Sequence, residues 1–265
     1  MDLQLRGRRA VVTGGSRGIG FAIGRALAAE GAAVAMVSRD RQAMGERLDR
    51  LRDDTGAQVV GITADTGDDA SVTAMADEAV RLLGGVDILV NNAATMSPGV
   101  ISEDQLEAEI NVKVRGYLRC ARAFAPGMAE RGWGRIINIG GLAARQTGSV
   151  TGSIRNVAVA ALAKNLADEL GPSGVNVTVV HPGATLTESF LAMLERLAAS
   201  RGIKPEEVER ELAASVSIGR LVRPEEVASV VAFLASPLSV AAPRSSNCAA
   251  SSARRRAARS ATAVS

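Results

Sequence analysis

The feature that most constrains this chain is the run Thr13-Gly14-Gly15-Ser16-Arg17-Gly18-Ile19-Gly20, set between the apolar stretch Ala10-Val11-Val12 and a helical pattern. Gly14 and Gly18 let the backbone turn tightly and approach a ligand without a Cβ in the way. The helix that follows offers free N–H groups and the positive end of its dipole, so the loop suits a phosphate. Its spacing, Thr-Gly-x-x-x-Gly-x-Gly, is one residue longer than the commoner dinucleotide fingerprint. The loop requires a strand before it and a helix after it.

Strand and helix patterns alternate beyond it. Strands are expected at 10–13, 33–37, 59–63, 87–90, 135–139 and 176–180. Helices are expected at 18–30, 40–54, 68–83, 151–170, 188–200, 205–214 and 224–234, with Ser102-Glu103-Asp104-Gln105 opening a long helix toward 131. This order predicts a doubly wound parallel sheet, Rossmann-like, with three α/β/α layers in one domain. That domain is expected over 1–238, including substrate-covering helices at about 187–215. Residues 239–265 lack any periodicity in their apolar residues, and are expected to form a disordered tail.

Charge divides the chain in the same place. The net charge is +3, but the tail holds Arg244, Arg254, Arg255, Arg256 and Arg259 and no acid; removing those five charges leaves −2 for the rest. A mildly acidic body argues against a nucleic-acid-binding core. The apolar runs are too short and interrupted for a membrane span, and the N-terminus lacks the order of a signal peptide. Cys120 and Cys248 have neither metal nor disulfide spacing, so the expected setting is cytoplasmic, with no metal.

The ordered motifs resemble the short-chain dehydrogenase/reductase family over roughly residues 5–238. The glycine loop is similar to that family's nucleotide loop, and Asp65 to the acid that contacts adenine. Asn91-Asn92-Ala93-Ala94 is similar to its Asn-Asn-Ala-Gly, with alanine at 94. Pro182-Gly183 with Thr187 resembles the loop that holds the nicotinamide amide, and the stretch 220–228 a late family segment. The resemblance implies an oxidoreductase acting on a carbonyl, alcohol or activated alkene, with a nicotinamide cofactor held by Gly14, Ser16, Arg17, Gly18, Ile19, Gly20, Ser38, Arg39, Asp65, Thr66, Asn91, Ala93, Asn156, Pro182, Gly183 and Thr187. An NAD site needs a carboxylate after the second strand. Here that strand leads into Ser38-Arg39-Asp40, and Arg17 lies in the loop, so a 2′-phosphate and NADP(H) are favoured over NAD(H). Asp40 could instead pair with Arg39.

The resemblance also implies a tetrad of asparagine, serine, tyrosine and lysine, in which a cation tunes a phenol toward working pH. In this chain those positions are Lys113, Gly141 (or Gly140), Gly152 and Asn156, and the chain's tyrosine is Tyr117. Gly152 should enlarge the pocket, and Asn156 can still bond a ribose hydroxyl. Lys113, Ser153 or bound water is left to handle the proton. Lys113 could equally face solvent or pair with Glu109 one turn earlier. Arg155 is expected on the exposed side of its helix, Asn111 on a different face from the site, and His181 packed at a strand end. Leu191, Met193 and Leu194 suit an apolar small-molecule substrate, although packing explains them equally well. The alternative function is a catalytically inactive NADP(H)-binding sensor or partner subunit. A homo-oligomer stays open, but the family's usual C-terminal strand finds no match after Pro237. The tail's Ala/Arg/Ser composition suits a GC-rich gene read in another frame.

Overall fold

The computed structural model describes residues 1–42, 44–95, 102–214, 216 and 218–241. Six strands form one parallel sheet: β1 (Arg9–Thr13), β2 (Ala33–Ser38), β3 (Val59–Thr63), β4 (Ile88–Asn91), β5 (Gly134–Ile139) and β6 (Val175–Val180). Their order is β3-β2-β1-β4-β5-β6. The chain reverses its winding between β1 and β4, and a crevice opens there at the carboxyl ends of the strands.

The sheet is buried on both faces, so alternate residues of one strand join different cores. Ala10 and Val12 of β1 pack with Ile23 and Leu27 of α1 (Gly18–Ala29), Leu51 of α2 (Gly45–Thr55) and Val231 of α9 (Pro224–Ala235). Val11 packs on the other face with Met75 of α3 (Asp69–Leu83), Phe124 of α5 (Gly116–Glu130) and Ala163 of α6 (Val150–Leu170). Each fully buried Leu, Ile or Phe contributes about 1.5–3 kcal/mol, so these two layers are the main hold on the crevice.

Two expected elements changed. The helix expected at 40–54 starts at Gly45, because the Ser38 hydroxyl accepts the Asp40 N–H and keeps that residue in a turn. The long helix opened by Ser102 is interrupted. Its capping box forms with both bonds present, and α4 runs Glu103–Ile110. A π-helical turn follows at Asn111–Arg115, where the Gly116 N–H bonds to Asn111 five residues back, and α5 continues. Gly116 lets this rod press on the loop after β3, since a Cβ there would stand 2.8 Å from the Thr66 carbonyl.

After β6 the chain forms α7 (Glu188–Arg201) and α8 (Pro205–Ala214), and a bridge between Thr185 and Val222 ties the start of α7 to the start of α9. Among the described residues the sheet ends at β6. Pro237–Ala241 forms a 3-10 turn, and the rest of the expected tail, 242–265, lies outside the described residues. No described helix is long and apolar enough to cross a membrane.

Candidate functional site

The crevice holds a cavity of about 420 Å³. Gly14, Ser16, Arg17, Gly18, Ile19, Ser38, Arg39, Asp65, Thr66, Ala93 and Thr187 all line it, joined by Asp40, Asn92, Thr95, Val112 and Glu188. The backbone explains the glycines. Gly14 has φ +66°, and a Cβ there would come 2.9 Å from the Ala93 Cα; Gly18 has φ +55° and lies against Thr187. Gly20 lies outside the cavity. It lets α1 close onto the loop, because a Cβ would stand 2.2 Å from the Gly14 carbonyl oxygen. Asp68, Ser102, Ser149 and Thr187 cap α3, α4, α6 and α7 with side-chain oxygens, but no side chain caps α1. Its first-turn N–H groups are therefore left without a side-chain acceptor.

The walls are tied together by bonds that sequence reasoning missed. Asn92 Nδ2 donates to the carbonyls of Thr13 and Gly14 at 3.1 Å each. Thr13 Oγ1 accepts from the N–H groups of Asn92 and Ala93. Ser38 Oγ donates to Ser16 Oγ at 3.1 Å. Arg47 reaches from α2 to the Ser16 carbonyl at 3.0 Å and to Glu188 at 3.2 Å. Only the doubled asparagine at the end of β4 signalled any of this in advance. Asp65 Oδ1 accepts the Gly67 N–H. The guanidinium groups of Arg17 and Arg39 have no hydrogen bond or ion pair among the described residues.

Four further expected cofactor residues fall elsewhere. Asn91 is fully buried beneath the site, with its amide donating to Asn138 Oδ1 and the Tyr117 carbonyl. The second asparagine reaches the loop because successive strand residues point to opposite faces. Pro182 and Gly183 are not among the cavity lining, and the Pro182 carbonyl accepts the Leu142 N–H. Asn156 sits next to Gly141, buried, with an Oδ1 that has no partner among the described residues.

The region around the ends of β5 and α6 differs from the sequence expectation. Lys113, from the π turn, is buried; its Nζ donates to the Gly140 carbonyl at 3.0 Å, rather than facing solvent or pairing with Glu109. Burial, reinforced by Arg155 and partly offset by Glu109, lowers its pKa to about 7. Arg155 is buried, not exposed: its Nη1 reaches Glu109 Oε2 at 2.7 Å. A buried carboxylate across the seam outweighs the solvent preference of the guanidinium. Gly152 leaves no open room, since a Cβ there would stand 2.7 Å from Ser149 Oγ and 3.1 Å from Ala143. Ser153 is turned to the Gln146 carbonyl at 3.4 Å, away from the cavity lining. Tyr117 is fully buried, donates to the Ile139 carbonyl and has its pKa raised by burial, which keeps it protonated. His181 packs at the end of β6 with Nδ1 against Gly141, and burial lowers its pKa. Asn111 faces away from Lys113 and holds the Gly67 carbonyl at 2.9 Å. Of the expected apolar ligand contacts, Leu194 and Met193 pack α7 against α8, while Leu191 is exposed.

An open parallel sheet with a glycine-loop cavity at its switch point defines a Rossmann-like α/β domain. The family described as "Enoyl-(Acyl carrier protein) reductase" matches residues 14–242. The chain belongs to the short-chain dehydrogenase/reductase family of oxidoreductases. It is 36% identical over 232 residues to the short-chain reductase protein NovJ of Streptomyces niveus, covering 86% of this chain and 87% of that protein. It superposes with a TM-score of 0.85 on L-sorbose reductase from Gluconobacter frateurii, complexed with NADPH and L-sorbose; identity is 30%, covering 89% of this chain and 92% of that one. An NAD+-bound xylitol dehydrogenase gives a TM-score of 0.82 at 25% identity, covering 89% and 95% of the two chains.

Proposed function

We propose that this chain is an NADP(H)-dependent oxidoreductase acting on a carbonyl, alcohol or activated alkene, with its proton chemistry rebuilt around Lys113. The observation that carries the reading is a buried amine at the end of β5, its Nζ donating to the Gly140 carbonyl at 3.0 Å. On this reading the Asn-Ser-Tyr-Lys tetrad is absent, with Lys113, Gly141, Gly152 and Asn156 in its places.

The residues fit the cofactor. The uncapped N-terminus of α1 and the glycine cradle suit a pyrophosphate. Arg17 and Arg39 suit a 2′-phosphate, with Ser16 and Ser38 between them. Similar folds carry NADPH in one relative and NAD+ in another, so these side chains, not the fold, support NADP(H). The unpartnered Oδ1 of Asn156 suits a ribose hydroxyl. The bound nicotinamide would supply or accept the hydride. Lys113 holds the matching proton: its ammonium form gives it up, through water, as a carbonyl oxygen becomes a hydroxyl, and its amine form accepts it in the reverse direction. Reduction therefore declines as pH rises through about 7, and oxidation gains over the same interval. The helices α7 and α8 would cover a small-molecule substrate.

A second reading, an inactive NADP(H)-binding sensor or partner subunit, is favoured by the crowding at Gly152 and Gly141. A Cβ at Gly141 would stand 2.9 Å from Asn156 Nδ2, so that side chain would have to turn aside to admit one. Fluorescence titration with NADPH followed by a turnover panel of carbonyls and enones separates the two. Turnover abolished by Lys113→Ala supports the oxidoreductase, binding without turnover supports the sensor, and no NADPH binding defeats both.

A further inference from the structure

The loop after β3 is gripped from behind by the π turn and α5. Asp65 and Thr66 of that loop line the glycine-loop cavity, and so does Val112 of the π turn. Asp65 Oδ1 accepts the Gly67 N–H at 2.8 Å, and the Gly67 carbonyl accepts from Asn111 Nδ2 at 2.9 Å. A Cβ at Gly67 would stand 3.1 Å from Asp65 Oδ1 and 3.2 Å from Asn111 Nδ2, so both side chains close on that one residue. Asn111 is oriented in turn. Its Oδ1 accepts from Arg119 Nη1 at 2.9 Å, which turns the amide nitrogen toward Gly67. The same Nη1 reaches the carbonyls of Asn111 at 3.3 Å and Thr66 at 3.4 Å. Arg119 Nε donates to Asp69 Oδ1 at 2.8 Å, in the first turn of α3. Asp69 is exposed, so this ion pair adds little stability; its effect is to aim the guanidinium.

We infer that Asn111 and Arg119 are positioning residues for Asp65: through Gly67 they fix one carboxylate oxygen and leave the other to read the amino group of a purine. This rests on the reading that the cavity holds NADP(H), with its adenine at Asp65. Asp65 Oδ2 has no hydrogen bond among the described residues. An ionised carboxylate only accepts, so the free oxygen favours a base with an amino group there and disfavours one with a carbonyl. That choice is sharp only while the carboxylate is held still. Ser71 Oγ accepts the Asp65 N–H at 2.9 Å, but this bond holds the backbone and leaves the side chain free to rotate. The hold on the side chain is the Gly67 N–H. Glycine restrains its own peptide units less than any other residue, so Gly67 keeps its direction through Asn111.

The test uses the full chain and reads binding, not turnover. The probes are NADPH and reduced nicotinamide hypoxanthine dinucleotide phosphate, which carries a carbonyl where adenine has its amino group. In the wild type NADPH should bind about tenfold tighter, as expected for a hydrogen bond to a charged group. Asn111→Asp keeps the shape and the bond to Arg119 but sets an oxygen against the Gly67 carbonyl. It should weaken NADPH about fivefold and leave the hypoxanthine form within about twofold, so that the preference collapses. Arg119→Gln should act in the same direction, by about threefold, and carries the test if Asn111→Asp does not fold. Equal weakening of both probes is what a purely structural role would give, and overturns the inference. So does a preference that survives in both variants, or a wild type that binds the two probes alike. A preference lost in the variants, without turnover in any substrate panel, leaves the inference standing and defeats the oxidoreductase reading. Lys113-dependent turnover with an unchanged preference does the reverse.

Discussion

The glycine-loop side of the crevice and the β5–α6 side are built on opposite plans. The first is open and presents unspent donors: the N-terminus of α1 is uncapped, and Arg17 and Arg39 face the cavity without partners among the described residues. The second is closed and internally committed. Glu109, Arg155, Lys113, Tyr117 and His181 each commit polar atoms to one another or to backbone groups, although Arg155 Nε finds no partner among the described residues. A site that receives an anion keeps its donors free, because each intramolecular bond formed beforehand must be exchanged. A site that tunes a proton needs fixed charges in a dry setting, because burial gives those charges their leverage.

The contrast can be broken by substitution. The largest effect belongs to the glycine cradle. Gly20→Val places side-chain carbon against the Gly14 carbonyl, where even a Cβ would stand 2.2 Å away. It should abolish NADPH binding in a fluorescence titration and lower the unfolding midpoint; unchanged affinity would mean that the loop does not hold the cofactor. Next is the closed side. Glu109→Ala strands a buried guanidinium and should cost about 3–5 kcal/mol in urea unfolding; a loss below about 1 kcal/mol would show that water reaches the cluster. Arg39→Ala should weaken NADPH by about 1.5–3 kcal/mol, roughly ten- to a hundredfold, and leave NADH alone. Equal losses for both would place Arg39 outside 2′-phosphate recognition. The smallest effect is Ser102→Ala, which removes the cap of the helix leading to Lys113 and should cost about 1 kcal/mol with no change in cofactor affinity.

The two sides were not equally legible in the sequence. Glycine spacing, a strand before it and a helix after it are local signals, and most of the cavity lining follows from them. The alternation of strands and helices likewise fixed the sheet, because each pattern spans a single element. Asn91 and Asn92 show the limit of that reading: which of the pair faces the loop depends on where β4 ends, a one-residue matter. The closed side depends on pairings between distant elements. Arg155 looked like a surface cation because its partner, Glu109, lies 46 residues away. The room expected at Gly152 vanished for the same reason, as Ser149 and Ala143 fold over it. Nor does local pattern mark a π turn, whose extra residue rotates everything after it.

That turn places two unrelated duties on adjacent faces of five residues. Asn111 grips the loop behind Asp65, and Lys113 reaches the far end of β5. A rod with uniform pitch would have to trade one orientation against the other whenever its sequence changed. The wider turn acts as a swivel joint: the residue at 113 can be exchanged while the grip of Asn111 on the loop after β3 stays in register. On the proposal that Lys113 handles the proton, such a joint gives a lineage a way to change that residue without rebuilding the glycine cradle beside it.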